Sequence, residues 1–87
     1  MSEDLYEELI PFVRRSSNRE DILTYLKNEG PATPTDIAEE TGMHRNHVSN
    51  RLSELREKGL VEVTNPEDSH HRYYRIKDKG KEVLEEL

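Results

Sequence analysis

The apolar positions of the chain fall into short groups, most at helical spacing and two at strand spacing. In residues 2–14, SEDLYEELIPFVR, the residues Leu5, Leu9, Phe12 and Val13 stand at i, i+4, i+7 and i+8, one face of a helix. Pro11 sits inside that pattern and predicts a kink or a restart, since proline has no N–H to donate and crowds the preceding turn. Acidic residues gather in the first turn and Arg14 and Arg15 in the last, the polarity a helix dipole favours. SNRE then reads as a capping box, with Ser17 as N-cap and Glu20 reaching back from three residues on. The helix it opens buries Ile22, Leu23 and Leu26 and stops at Gly30.

A third helix starts with Thr33 as N-cap and Pro34 at the first helical position, where a missing N–H costs nothing. It covers residues 34–40, offers the core little beyond Ile37 and Ala38, and ends at Gly42. The fourth helix, residues 45–58, begins only a few residues later, and a turn this tight between two helices is a helix-turn-helix pattern. Val48, Leu52 and Leu55 lie on one side of it; the opposite side is centred on Asn46, Asn50 and Ser53, flanked by His47 and Ser49. LVEVT and RYYRI read as strands joined by the turn-rich NPEDSHH, a hairpin with a long tip, Tyr74 and Ile76 inward and Tyr73 and Arg75 outward. From Asp78 onward Val83, Leu84 and Leu87 share one side of a closing helix. The order is α-α-α-α-β-β-α, with a short strand at Pro31 and Ala32 as a further element: an α+β fold, mainly helical.

Composition narrows the use of this scaffold. Eighty-seven residues make one domain over 1–87, divided as an N-terminal helix at 1–15, a helix-turn-helix at 34–58, a hairpin at 60–76 and a closing helix at 78–87. At 31% hydrophobic residues its core is small, so a symmetric partner burying more surface is expected. The absence of cysteine removes disulfides, thiolate metal sites and thiol redox chemistry. No apolar run approaches the ~20 residues a bilayer span needs, and SEDLYEEL after Met1 lacks the charge and pattern of a signal peptide. A soluble cytoplasmic chain with no membrane partner is the expectation.

The net charge of −6 is unevenly spread. Residues 1–9 hold four acids and no base, residues 10–60 eight of each sign, and residues 61–87 seven acids and five bases. Exposed charges beyond a Debye length of about 8 Å are largely screened at physiological ionic strength, so acidic ends leave the middle of the chain free to meet an anion.

The first two turns of the fourth helix, Arg45 to Asn50, carry no acid, whereas Glu54, Glu57 and Lys58 lie in its second half. When a helix-turn-helix docks, the N-terminal residues of its second helix enter the major groove. Asn pairs well there with adenine and Arg with guanine, and Ser is permissive. Arg45, Asn46, His47, Ser49 and Asn50 are therefore the candidate base-reading set, and double-stranded DNA the expected partner. Arg72 and Arg75 are candidate backbone contacts from the hairpin, where Glu67 and Asp68 would repel phosphates; Thr35, Arg14 and Arg19 are secondary ones. The histidine pairs His44/His47 and His70/His71 each lack a third ligand, so neither metal nor cofactor is expected. On a DNA face, these histidines would gain charge in mild acid and tighten binding. With no Gly-rich phosphate loop, no paired nucleophile and base and too small a core for a substrate cleft, an enzyme is not expected.

TPTDIAEETGMHRNHVSNRLSELREKGLVEV, followed by RYYRIKDKGKEVLEEL, resembles a winged helix-turn-helix of the archaeal regulator type, similar to the ArsR and MarR families of transcription factors. The resemblance spans residues 16–84 and rests on three marks in order: T-P-x-x-I-A, V-S-x-x-L-x-x-L-x-x-x-G-L-V and Y-R-I-x-x-x-G. It implies a two-stranded β-hairpin wing and a homodimer on a pseudo-palindromic operator. The fourth helix would lie in the major groove, with the recognition positions on Arg45, Asn46, His47, Ser49 and Asn50 and the wing arginine on Arg72. ArsR-type metal sensors use cysteine-containing sites, absent here, so metal responsiveness does not carry over. MarR-like wings often show an Asp two residues before the Arg, whereas Asp68 precedes Arg72 by four. Their dimerising helices are longer than KGKEVLEEL, which assigns the dimer surface to Leu5, Leu9 and Phe12 together with Val83, Leu84 and Leu87. Two such subunits would set their recognition helices roughly 34 Å apart. The acidity supports a second reading, a winged-helix module that docks a partner protein through its fourth helix. A third is a regulator controlled by a small-molecule effector at the dimer interface.

Overall fold

The computed structural model describes residues 2–68 and 70–87, with side chains from Glu7 onward. Five helices and a hairpin follow in the order α1 (Ser2–Arg14), α2 (Ser17–Glu29), α3 (Pro34–Thr41), α4 (Arg45–Glu57), β1 (Val61–Val63), β2 (Tyr74–Ile76) and α5 (Asp78–Glu86). α1 passes through Pro11 as one helix, and no restart occurs there. Glu7 and Pro11 are both exposed, so the hydrogen bond that Pro11 cannot make is lost on the solvent side of α1.

The α1–α2 junction corrects the capping expectation. Ser16, not Ser17, is the N-cap of α2, and its side chain makes no capping hydrogen bond. Its N–H donates to the Val13 carbonyl at 3.2 Å while its own carbonyl accepts from Arg19 N–H at 3.0 Å. One residue's backbone thus ends α1 and starts α2, which draws Ser17 and Glu20 inside the helix and out of capping register. At α3 the expected cap is present and stronger than anticipated. Thr33 Oγ1 accepts from Asp36 N–H at 3.1 Å, and Asp36 Oδ2 accepts from Thr33 N–H at 3.2 Å, a reciprocal box legible in TPTD. Gly42 then takes φ 76° and ψ 8°, the left-handed conformation that a side chain resists, and this permits the abrupt turn into α4.

α2 is the centre of the packing and touches α1, α3, α4, α5 and β2. Its Ile22, Leu23 and Leu26 meet Ile37 of α3, Val48, Leu52 and Leu55 of α4, and Leu60 and Val61 after it, in one buried cluster. Burying each such side chain contributes roughly 1.5–3 kcal/mol, so the helix-turn-helix is held by its apolar side and keeps its polar side for solvent. β1 pairs antiparallel with β2 in the register Val61 with Ile76, Glu62 with Arg75 and Val63 with Tyr74. Ala32 forms a bridge to Tyr74, where a short strand was expected. Tyr74 and Ile76 are buried and Tyr73 is 43% exposed, so the alternation read from RYYRI holds. Gly80 sits where a Cβ would lie 2.5 Å from the Leu60 carbonyl oxygen, so α5 packs on the root of the hairpin without clearance.

Two residues expected on a dimer surface are instead core. Leu9 is 4% exposed and Val83 fully buried, because α1 and α5 use those positions to close over α2. Phe12, Leu84 and Leu87 are half-buried at the edge of the cluster, and the side chain of Leu5 lies outside the described residues.

Candidate nucleic-acid interface

α4 starts without a side-chain cap: His44 is its N-cap residue and makes no capping bond. Arg45, Asn46, His47 and Asn50 are exposed and Ser49 half-buried, while Val48, Leu52 and Leu55 on the other side are buried. The acid-free face anticipated from sequence is thus turned outward. Arg45 and Ser49 line an open groove of about 490 Å³ together with Thr33, Pro34, Thr35 and Asp36 at the start of α3 and His70, His71 and Tyr73 of the wing. The folded chain brings three separate stretches, 33–36, 45–49 and 70–73, to one concavity.

The electrostatics of α4 depend on what happens to its acid in mid-helix. Glu54 accepts from Arg19 Nε at 3.1 Å and lies 3.0 Å from Arg51 Nε. Arg19 also donates from Nη1 to the Phe12 carbonyl at 2.6 Å and stacks its guanidinium 3.9 Å from the Phe12 ring centroid. Its side chain is only 15% exposed. The expectation that Arg19 contacts a phosphate is therefore corrected: it is spent on joining α1, α2 and α4, and it neutralises Glu54 in doing so.

The wing tip is built by two polar side chains. Asn65 Oδ1 accepts from Tyr73 N–H at 2.8 Å and its Nδ2 donates to the His71 carbonyl at 2.7 Å, which clamps the two arms together. Asp68 Oδ1 accepts from the N–H groups of His70 and His71 at 2.8 and 2.9 Å. These bonds, His71 first and His70 second, hold its carboxyl below the usual carboxylate range. Asp68, expected only to repel phosphates, instead shapes the loop that carries His70 and His71 into the groove. Arg72 Nε donates to the Asp68 carbonyl at 3.2 Å. Asn-Pro followed by Asp is a turn signal that was available in the sequence, but its hydrogen-bond partners were not.

Of the remaining candidates, Thr35 lines the groove and Arg14 is exposed on α1. Arg75 is not at the groove. It pairs with Glu62 across the hairpin and lines depressions at the base of the wing with Lys77, Lys79 and Lys81, because each residue along β2 from Tyr73 moves about 3.4 Å away from the tip. Sequence reasoning missed Tyr73 as a site residue; its outward placement was predicted, its neighbours were not. Among the described residues no group of three or more His, Asp or Glu is placed to hold a metal. The His44 and His47 rings stand edge to face at 5.8 Å, with His44 at the N-cap position and His47 in the first turn of α4.

The fold and the sequence both have known relatives. A MarR family model matches residues 20–72. The uncharacterized HTH-type transcriptional regulator YdgG of Bacillus subtilis (strain 168) is 39% identical over 79 residues, covering 87% of this chain and 52% of YdgG. A stretch of the phenylalanine–tRNA ligase alpha subunit of Methanopyrus kandleri is 38% identical over 65 residues, 75% of this chain but 12% of that subunit. The crystal structure of the transcriptional regulator Tm0710 from Thermotoga maritima superposes with a TM-score of 0.73 at 27% identity, covering 87% of this chain and 57% of that one. The chain thus spans about half the length of the regulators it matches.

Proposed function

Because the chain belongs to the MarR family of winged helix-turn-helix proteins, we propose that it is a transcriptional regulator that binds double-stranded DNA. α4 enters the major groove and the wing tip lies beside it. The observation that carries this reading is the exposed, acid-free first half of α4 bordering a groove closed on its other side by the wing. Asn46 and Asn50 read base edges, Arg45 and Ser49 lie where groove wall and bases meet, and His47 flanks them. Thr35, at the second position of α3, offers its hydroxyl to a phosphate on the groove's rim, and Arg72 and Arg14 are the arginines left for the backbone. A homodimer on a pseudo-palindromic site is the assembly this reading calls for, in the cytoplasm, without enzymatic activity of its own.

Selection from a random duplex library at low and physiological salt tests it. An enriched inverted repeat with half-sites about ten base pairs apart is the expected result. Retention without enrichment would make the chain an architectural DNA binder. A second reading has two observations in its favour, the net charge of −6 and the match to part of a ligase subunit that is not named as a regulator: a winged-helix module that docks a basic protein through α4. Retention of no duplex at any salt, with capture of a basic partner that α4 substitutions abolish, would favour it.

A further inference from the structure

Five of the chain's thirteen basic residues gather at the base of the wing. Lys27, Arg75, Lys77, Lys79 and Lys81 line two open grooves of about 390 and 210 Å³ that share Arg75, Ile76 and Lys81. The acids in those linings are Glu62 and Asp78, and Glu62 is committed to Arg75. None of the four lysines has a carboxylate within ion-pair distance among the described residues. The backbone beneath them is held by two hydrogen bonds. Lys77 N–H donates to the Leu60 carbonyl at 2.9 Å, Lys81 N–H to the Lys77 carbonyl at 3.1 Å, and Gly80 leaves no room between α5 and the hairpin. Like charges lining the same grooves repel one another, and among the described residues no ion pair of the four lysines offsets that cost.

The groove beside α4, by contrast, is short of cations. Arg45 is the one Lys or Arg that lines it, and Arg19 and Arg51 are both tied to Glu54. The two regions nevertheless lie on one surface. The bridge between Ala32 and Tyr74 sets Thr33 beside Tyr73 at the groove and Pro31 beside Arg75 at the wing base, one step of roughly 7 Å along the strand.

We propose that the wing base is a second phosphate-binding surface, engaged by DNA flanking the segment that α4 reads and curving toward the wing to reach it. This rests on the DNA-reading function proposed above. A chain of net charge −6 gains phosphate affinity only where cations outnumber acids within a screening length of about 8 Å. With Arg75 paired to Glu62, four lysines stand against Asp78 among the residues lining the wing base, an excess that the adjacent Glu29 and Glu82 reduce, whereas at the groove Arg45 stands against Asp36 alone. Curvature of this kind is a deformation that duplexes undergo when added contacts compensate it.

The test compares the wild-type chain with a variant combining Lys77→Gln, Lys79→Gln and Lys81→Gln on random-sequence duplexes of about 12 and about 40 base pairs. On the short duplex the variant should bind within about twofold of wild type; on the long one it should lose about tenfold or more, with a salt slope shallower by about 3, roughly 0.9 per phosphate released. The matching Lys→Arg triple should bind like wild type, and Lys77→Gln alone should show a smaller loss with the same length dependence should the triple fail to fold. Equal losses on both lengths, or none on either, would overturn the wing-base contact and leave the reading by α4 standing. A wild-type chain that retains no duplex would overturn both. Release of bound poly-glutamate, with DNA binding unchanged, would assign the surface to an acidic protein and overturn the phosphate assignment.

Discussion

Asn50 and Glu54 stand about one turn apart on α4 and have opposite tasks. Asn50 is exposed, and its side chain makes no hydrogen bond among the described residues, so Asn50→Ala should leave stability within about 0.5 kcal/mol. It should relax base preference at one position by ~1–3 kcal/mol, read by repeating the library selection. Glu54 faces inward to Arg19, whose guanidinium also serves the Phe12 carbonyl. Arg19→Met removes charge-assisted bonds at a mostly buried site and should cost about 1.5–3 kcal/mol in urea unfolding. Asp68 adds a pH dependence of known sign. Its carboxyl titrates below its ordinary value in the folded chain, chiefly through the His71 and then the His70 N–H. Its contribution is therefore complete above the unfolded-state value and disappears as pH falls through the lowered one. NMR titration should show the His70 and His71 amide shifts following that single acidic transition, and Asp68→Ala should remove it while leaving the core resonances in place.

At the scale of elements, the hairpin and α5 act as one part because of Gly80. A methyl there would stand 2.5 Å from the Leu60 oxygen and 2.7 Å from Ile76 Cγ1. Gly80→Ala should therefore destabilise by about 1–3 kcal/mol as the overpacked joint moves apart, measured as a lowered urea midpoint. The Y-R-I-x-x-x-G mark in the sequence contained this glycine, but its reason is visible only in the packing. Helix starts show the same division. Thr33, Pro34 and Asp36 announce α3 because a capping box is local, a matter of four consecutive residues. SNRE follows the same pattern and fails as a cap, since the two-residue junction with α1, Arg15 and Ser16, decides where α2 begins.

The whole molecule leaves some apolar side chains partly uncovered. With Leu9 and Val83 withdrawn into the core, Leu84 and Leu87 at the end of α5 remain half-buried, as do Ile10 and Phe12 on opposite flanks of α1, Phe12 stacked by Arg19. The homodimer proposed for this chain would cover Leu84 and Leu87. Leu84→Glu together with Leu87→Glu should raise the dimer dissociation constant about tenfold or more, ~1.4 kcal/mol, in sedimentation equilibrium, with the helical content unchanged. Wild-type chain that stays monomeric at tens of micromolar in the presence of DNA would remove the dimer from the reading. The charge distribution also belongs to this scale. A net charge of −6 says little by itself, because Glu54 is neutralised internally while the lysines of the wing base are not.

The sequence alone determined the order of elements, the buried side of α2, α3 and α4, the α3 cap and the outward face of α4. Each follows from periodicity or from bonds spanning four residues or fewer, which the local chain specifies without knowledge of its neighbours. Only the tertiary structure decided which side chains share a surface. Arg19 and Arg75 looked like two more cations for phosphate, yet one is drawn to Glu54, thirty-five positions away, and the other to Glu62 at the wing base. Leu9 and Val83 looked like contact residues, yet α2 claims them for the core. The fate of a charge or an apolar side chain depends on what stands opposite it, and that is set by how helices and strands distant in sequence pack together.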